Sequence, residues 1–193
     1  MFISFEGIDG SGKSTQARML YEYMHKKSME VVLTAEPTDG KIGDLMKSLI
    51  QGRDVSVDPT TLQLLFIADR SDHVDKFINP NLVSQKNVIT DRYLISTIAY
   101  GISFDINEQW LKNANNIFPY PDYNFIIDVD PSIALGRIGK RNNGNTYFER
   151  KDFLDKIRNN YIKLGEEYKN YYILDGNKPE EEVSSMVHSI LKI

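Results

Sequence analysis

Short apolar runs rich in β-branched and aromatic residues alternate along the chain with longer stretches whose apolar positions recur every three or four residues. The first run, Phe2-Ile3-Ser4-Phe5-Glu6, reads as a strand. Over residues 14–27, Ala17, Leu20, Tyr21 and Met24 line one side while Arg18, Glu22, Lys26 and Lys27 face water, which predicts an amphipathic helix. Residues 30–34 (Glu-Val-Val-Leu-Thr) are short, continuous and β-branched, the pattern of a buried strand. A helix over 41–51 turns Ile42, Leu45, Met46 and Leu49 inward, and 52–59 reads as a polar turn. The next helix covers 60–76, with Pro59 suited to its first turn and Asp58 to its cap. Residues 87–90 form another buried strand, and 107–117 a weakly amphipathic helix around Trp110 and Leu111. A strand over 123–129 leads to a helix that opens at Pro131 and runs to 139. A helix over 152–169 (Phe153, Ile157, Tyr161 and Leu164 inward), a strand over 171–174 and a helix over 180–191 complete the series. Five strands alternating with helices imply an α/β fold: a five-stranded parallel sheet with helices on both faces. Such sheets bind ligands outside the C-terminal ends of their strands, so the residues just past each strand carry the chemistry.

Length and charge narrow this further. The 193 residues suffice for one domain with a proper core, over 1–193, and are too few for two ordinary ones. A net charge of −4 advertises no basic face, so nucleic acid is not an expected partner. The absence of cysteine excludes disulfides, thiol catalysis and thiolate metal sites, and fits a reducing compartment, with the cytoplasm as the expectation. No signal peptide is expected, because glycine-rich sequence begins at Gly7 and Glu6 interrupts the apolar run. No membrane association is expected either, since no apolar run approaches the roughly 20 residues a spanning helix needs.

The first strand runs directly into Gly7-Ile8-Asp9-Gly10-Ser11-Gly12-Lys13-Ser14-Thr15, the Gly-x-x-x-x-Gly-Lys-Ser pattern of a phosphate-binding P-loop. Glycines allow backbone N–H groups to approach phosphate oxygens, Lys13 can reach the β and γ phosphates, and the Ser14 hydroxyl can sit on Mg²⁺. The helix that follows turns its positive end toward the anion. Other rim positions admit two readings each. Glu36, in Glu-Pro-Thr-Asp-Gly after the second strand, is either a rim ligand group or a solvated turn residue. Phe66 and Arg70 share a helix face, as a base-and-phosphate pair or as a core ring beside a surface cation. Asp91-Arg92 leaves the third strand either as a metal and phosphate pair or as a buried structural ion pair. The basic, Gly- and Asn-rich stretch over 137–150 is either a flap carrying cations over a triphosphate or a plain connection. His73 reads as a surface or packing histidine.

Taken together, the P-loop, Glu36-Pro37-Thr38, Leu65-Phe66-Ile67-Ala68-Asp69-Arg70, and Asp91-Arg92-Tyr93 with Ser96, Ala99 and Tyr100 resemble the thymidylate kinase family, in order and over nearly the whole chain. The resemblance implies a P-loop kinase fold with a short lid over about 137–150, transfer of the γ-phosphoryl of ATP to dTMP with Mg²⁺, and a homodimer. It implies that residues 7–15 bind ATP. Phe66 would stack on thymine, Arg70 would hydrogen-bond the base, and Ser96 or Thr97 would face the base edge. Tyr100 would lie against the deoxyribose, Arg92 would hold the monophosphate, and Glu36 would anchor the same region. Asp9 would contact the monophosphate or the Mg²⁺ shell, Asp91 with Ser14 would serve the metal, and Arg137 and Arg141 would reach the phosphates from the lid.

The chain departs from relatives that carry Arg before Glu-Pro (here Ala35), Gln after the tyrosine (here Gly101) or Arg inside the P-loop. The transition-state cation then has to come from the lid, which raises the weight on Arg137 and Arg141. Rival readings are a kinase for another pyrimidine monophosphate such as dUMP, and a GTP-binding switch whose guanine reader would be Asn177-Lys178-Pro179-Glu180. No separate Asp-x-x-Gly accompanies that segment.

Overall fold

The computed structural model describes residues 1–51, 57–139 and 150–193. Five parallel strands form one sheet in the order β2-β3-β1-β4-β5: β1 Phe2–Glu6, β2 Val31–Ala35, β3 Asn87–Asp91, β4 Tyr123–Asp128 and β5 Tyr171–Asp175. β1 is central and every one of its five residues is buried. Its neighbours are fixed by pairings such as Phe5 with Asp91 on one side and with Phe125 on the other. From β1 the chain passes to the edge strand β2, returns inward to β3, then crosses β1 to β4 and β5, so the direction of winding reverses beside β1. That is where an open α/β sheet leaves a crevice.

The expected buried strand at 30–34 needs correction. β2 is an edge strand, half-buried along most of its length, because only β3 pairs with it. Strand order depends on pairing between distant segments, and local periodicity does not carry it.

Among the described residues the helices are α1 Lys13–Lys26, α2 Lys41–Gln51, α3 Pro59–His73, α4 Asn79–Val83, α5 Leu94–Ser103, α6 Glu108–Asn115, α7 Pro131–Gly139, α8 Lys151–Glu167 and α9 Glu180–Leu191. Asp58 caps α3 by accepting from Thr61 N, as its position predicts. The helix expected over 60–76 instead passes into one π turn, Val74–Ile78, before α4. Pro80 has no N–H for the carbonyl of Lys76, and the Asn79 N–H reaches back five residues to Val74 O. For the stretch after Arg92 the pattern predicted no element. It is α5, buried over nearly its whole circumference, so it lacks the polar stripe that marks an amphipathic helix. α6 keeps Leu111 inside and leaves Trp110 at 37% exposure.

The core lies between the sheet and its two helical layers. Phe5 and Phe125 stack with centroids 5.3 Å apart, and Tyr172 adds a third ring at 5.7 Å from Phe125. α1 closes one region with Ala17, Leu20 and Met24, and α8 another with Leu154, Ile157 and Leu164. Phe125 is fully buried at the sheet centre, so Phe125→Ala should lower the unfolding free energy by about 3–5 kcal/mol. The measurement is a urea titration, in which the midpoint falls and the slope stays constant.

Candidate active site

The head of β1 turns through three glycines with positive φ: Gly7 at 139°, Gly10 at 79° and Gly12 at 99°. At Gly10 the constraint is also steric, because a Cβ there would lie 2.4 Å from the carbonyl oxygen of Ala134 in α7. Gly12 caps α1 in the left-handed conformation, and the first turn of α1 therefore faces the loop. Lys13 is buried with its Nζ 3.4 Å from Ile8 O and 3.6 Å from Asp9 Oδ1.

Asp9 joins this cradle to the end of β3. Arg92 NH2 donates to Asp9 Oδ1 at 2.5 Å, so Arg92 and Lys13 flank one carboxylate. Burial alone pushes the Asp9 carboxyl up, but the Arg92 and Lys13 charges outweigh it and hold it at about 2. Burial and the adjacent Arg92 charge lower the Lys13 ammonium from its ordinary value. Tyr100 completes the group: its ring lies under the Arg92 guanidinium at 5.2 Å, and its hydroxyl accepts from Arg92 NH2 at 3.3 Å and donates to Asp9 Oδ2 at 3.4 Å. Arg92 has a φ of 71°, a left-handed conformation unusual for a residue with a long side chain.

Behind Arg92 lies a residue that pattern reading treats only as an interruption. Glu6, wholly buried, accepts from Tyr93 N at 2.9 Å and from Ser96 Oγ at 2.5 Å. Burial pushes its carboxyl up to about 7, against the Ser96 hydrogen bond and the Arg92 and Arg70 charges. Tyr161 belongs to the same group, 2.7 Å from Ser96 Oγ and 3.1 Å from Arg92 NH1. The helical period marks Tyr161 only as an inward apolar position. A charged residue inside an otherwise apolar strand that enters a P-loop is the signal for Glu6.

Arg70 stands in a second cluster. It is 1% exposed, and Glu36 Oε2 accepts from its Nε at 3.0 Å and from its NH2 at 2.6 Å. NH2 also donates to Tyr93 O and Thr97 Oγ1, and NH1 donates to Asn115 Oδ1 at 2.5 Å. A guanidinium has five N–H bonds, so one on NH1 remains. Glu36 is accordingly a buried anchor for Arg70, not a solvated turn residue, and Arg70 is not a surface cation. His73 is a packing residue. Its Nδ1–H donates to Glu36 Oε1 at 3.0 Å, and its Nε2 lies 2.7 Å from Thr34 Oγ1. Asp69 fixes the loop after β2, accepting from Thr38 N at 2.8 Å and Thr38 Oγ1 at 2.6 Å.

Of the two residues expected near a base edge, Thr97 lies against Arg70, whereas Ser96 faces Glu6 and Arg92. Phe66 is half-buried one turn before Arg70 on α3 and packs against the core. Arg137 does not extend from a lid toward open space. Its guanidinium donates to Gly10 O at 3.4 Å, Ser11 O at 3.2 Å and Gly176 O at 3.0 Å, which ties the P-loop to the turn after β5. Arg141, and the lid segment between 139 and 150, lie outside the described residues. Asn177 donates to Asp175 and accepts from Asp130 N, and Lys178 pairs with Glu182 of α9, so two of the three polar side chains of the candidate guanine reader are engaged by protein groups.

A cavity of about 680 Å³ opens beside the cradle, bordered by Ser14, Thr34, Pro37, Thr38, His73 and Asp91 among others. Asp91 Oδ1 is buried without a hydrogen-bond partner. An unpaired carboxylate oxygen and a serine hydroxyl on one cavity are hard donors and fit Mg²⁺. Among the described residues no group of three or more acidic, His or Cys side chains is placed to hold a metal alone, so phosphate oxygens and waters would have to complete the shell. On the other side of the cradle a pocket of about 40 Å³ is lined by Gly12, Gln16, Arg137, Gly176 and Lys178 among others.

Fold and site define a P-loop nucleotide-binding protein with an arginine facing the cradle across a shared aspartate. The family model described as thymidylate kinase matches residues 5–187. Similar proteins include the probable thymidylate kinases of Methanocaldococcus jannaschii, 39% identical over 100% of this chain and 96% of that one, and of Pyrobaculum aerophilum, 40% identical over 99% and 96%. The crystal structure of thymidylate kinase from Ehrlichia chaffeensis superimposes with a TM-score of 0.79 at 31% identity, covering 99% of this chain and 98% of that one. The chain belongs to the thymidylate kinase family. Membership sets aside the GTP-switch reading.

Two outcomes follow for stability. Folded Glu6 holds its proton more tightly than the unfolded chain does, so wild type loses stability as pH rises from about 4.5 to about 7. The unfolding free energy of Glu6→Gln relative to wild type should therefore climb by up to about 3 kcal/mol across that window, read by urea titration at several pH values. Glu36→Ala strands the buried Arg70 charge and should cost about 3–5 kcal/mol in the same assay.

Proposed function

We propose that this chain transfers the γ-phosphoryl group of ATP to dTMP, giving dTDP and ADP, within pyrimidine deoxynucleotide synthesis. A dTMP phosphate oxygen attacks the γ phosphorus while the bond to the β–γ bridging oxygen breaks and its electrons leave with ADP. The observation that carries this reading is the convergence of Lys13 and Arg92 on one carboxylate oxygen of Asp9, at the head of the central strand. Phosphoryl transfer asks chiefly for two phosphates aligned among positive charges.

In this reading residues 7–15 cradle the donor triphosphate, and Lys13 neutralises charge that develops on it. Arg92 holds the acceptor phosphate, with Asp9 and Tyr100 fixing the guanidinium. The donor nucleoside leaves the cradle toward Arg137 and Gly176, opposite the acceptor. Mg²⁺, held by Ser14 and Asp91 with phosphate oxygens, would supply further charge neutralisation. Phe66 offers a flat face for thymine, Arg70 its remaining N–H, and Thr97 the orientation of Arg70. Glu36 keeps Arg70 in place. Because Arg137 is held by three carbonyls, the additional transition-state cation is assigned to Arg141 and the lid.

The reading extends to a single domain over 1–193, which the unbroken network of contacts among the described elements around one sheet supports. It also extends to a homodimer, for which half-exposed Leu45 on α2 and Leu64 on α3 offer apolar surface. The cytoplasm, where both nucleotides are found, is the proposed compartment. No helix among the described residues is long and apolar enough to cross a membrane.

ADP release is to be measured with dTMP, dUMP and other monophosphates, against both ATP and GTP. The expected pair is ATP with dTMP, and dUMP should fall short by about 10- to 200-fold, the worth of one methyl group in a pocket. Lys13→Ala and Arg92→Ala should each lower kcat/KM for dTMP by at least about 100-fold with a retained thermal transition. Near wild-type turnover by either variant defeats the role given to that residue, and absence of turnover with dTMP defeats the assignment.

A further inference from the structure

Glu6, Ser96, Tyr161 and Arg92 form a chain in which the position of every hydrogen is determined. With Glu6 ionised, Oε1 accepts from Tyr93 N–H and Oε2 accepts from the Ser96 hydroxyl. Ser96 Oγ then accepts from Arg92 NH1 at 3.1 Å and from the Tyr161 hydroxyl at 2.7 Å, and Tyr161 Oη accepts from the second NH1 hydrogen at 3.1 Å. Burial drives the Tyr161 phenol far above its ordinary range, so it remains a donor. Each proton has one acceptor and each acceptor has room for its donors.

A proton added to Glu6 reverses this order. Oε1 is already held by the Tyr93 N–H, so the new hydrogen lies on Oε2 and points at Ser96 Oγ. The Ser96 hydrogen must then turn to Tyr161, whose oxygen already accepts from Arg92. The phenolic hydrogen of Tyr161 is left with no acceptor in the chain, in a place where water does not reach.

The same carboxylate also holds backbone. Tyr93 is the N-cap of α5 and its side chain makes no capping hydrogen bond. Glu6 instead accepts from the N-cap N–H and from Ser96 three residues on, much as a capping-box glutamate does, but from a different element. Arg92, immediately before this cap, is the residue held at a φ of 71°.

We propose that Glu6 is a positioning residue for the acceptor phosphate: its ionised carboxylate orders the Ser96–Tyr161–Arg92 chain and the start of α5, and its protonation loosens the aim of Arg92. This rests on the phosphate-holding role of Arg92 given above. The charged and titratable groups facing Glu6 are Arg92 at the end of β3, Arg70 on α3, Lys13 on α1, Glu36 after β2, Tyr161 on α8 and Tyr171 on β5. Burial outweighs the arginines among them and places the ionisation near neutrality, at about 7.

The test compares wild type with Glu6→Gln, which keeps the Tyr93 contact but presents N–H to Ser96 as the protonated acid does. Glu6→Gln should raise the KM for dTMP about tenfold, with kcat changed less than threefold and the KM for ATP unchanged. The ratio of wild-type to variant kcat/KM for dTMP cancels the ionisation of the nucleotide itself. That ratio should rise about fivefold between pH 6 and pH 8, as an acid of pKa about 7 goes from about one tenth to about nine tenths ionised while its protonated form keeps the variant's lower activity.

A ratio that stays constant with pH, or an equal loss in the KM for ATP, overturns the proposal. If Glu6→Gln lacks a thermal transition, Ser96→Ala carries the test. It removes the hydroxyl through which a proton on Glu6 reaches Tyr161 and Arg92, and should shrink the rise of kcat/KM with pH while Glu6 is intact. An unchanged limb in that variant overturns the proposal equally. Where another monophosphate turns over and dTMP does not, the substrate assignment fails and the ratio measured with that monophosphate still decides the role of Glu6. No turnover with any monophosphate defeats both.

Discussion

Positive charge has to be kept at the rim of this sheet without water to solvate it. Arg92 and Lys13 meet at Asp9, and Arg70 meets Glu36, each carboxylate coming from an element other than that of its arginine. An unpaired buried cation would cost several kcal/mol, whereas a paired one still loses most of its hydration. The arrangement therefore contributes little to stability and much to geometry. It fixes where two guanidinium planes point before any ligand arrives, and catalysis of phosphoryl transfer draws on that prior orientation.

The two arginines are handled differently. Arg92 keeps one face of its guanidinium on the Tyr100 ring, and the carboxylate it shares with Lys13 is partly open to solvent, at 42% side-chain exposure. Arg70 is enclosed by Glu36, Asn115, Thr97 and the carbonyl of Tyr93. α5 serves both: Thr97 touches Arg70, and Ser96, one position earlier, reaches Glu6 and Arg92. A helix that is apolar nearly all round and capped from the neighbouring strand is the part that holds the two clusters in register. Ionised Glu6 works against stability at neutral pH and in favour of that register.

What local pattern could reveal was what local pattern determines. The P-loop is contiguous, and its glycines, lysine and serine are legible from spacing alone. Helix caps such as Asp58 are legible for the same reason. Strand order is not, since β2 becomes an edge only through its pairing with β3. The π turn was hidden because Val74–Ile78 continues the apolar period of α3, and a single missing N–H at Pro80 alters the backbone without altering that period. Glu6 and Tyr161 escaped for a shared reason: a binary apolar or polar reading discards a buried charge as a defect and a phenol as a ring. Arg137 was placed near the cradle by sequence, but its three carbonyl partners come from segments far apart in the chain, which no spacing encodes.

Arg70 has a single N–H left after its neighbours are satisfied, and in the base-reading role proposed for it this scarcity limits what it can meet. A heterocycle presenting one carbonyl can be met in full. A ligand offering two adjacent acceptors, as the outer edge of guanine does, would receive half of what it needs unless the pair with Glu36 opened. In that role, discrimination comes from withholding a contact.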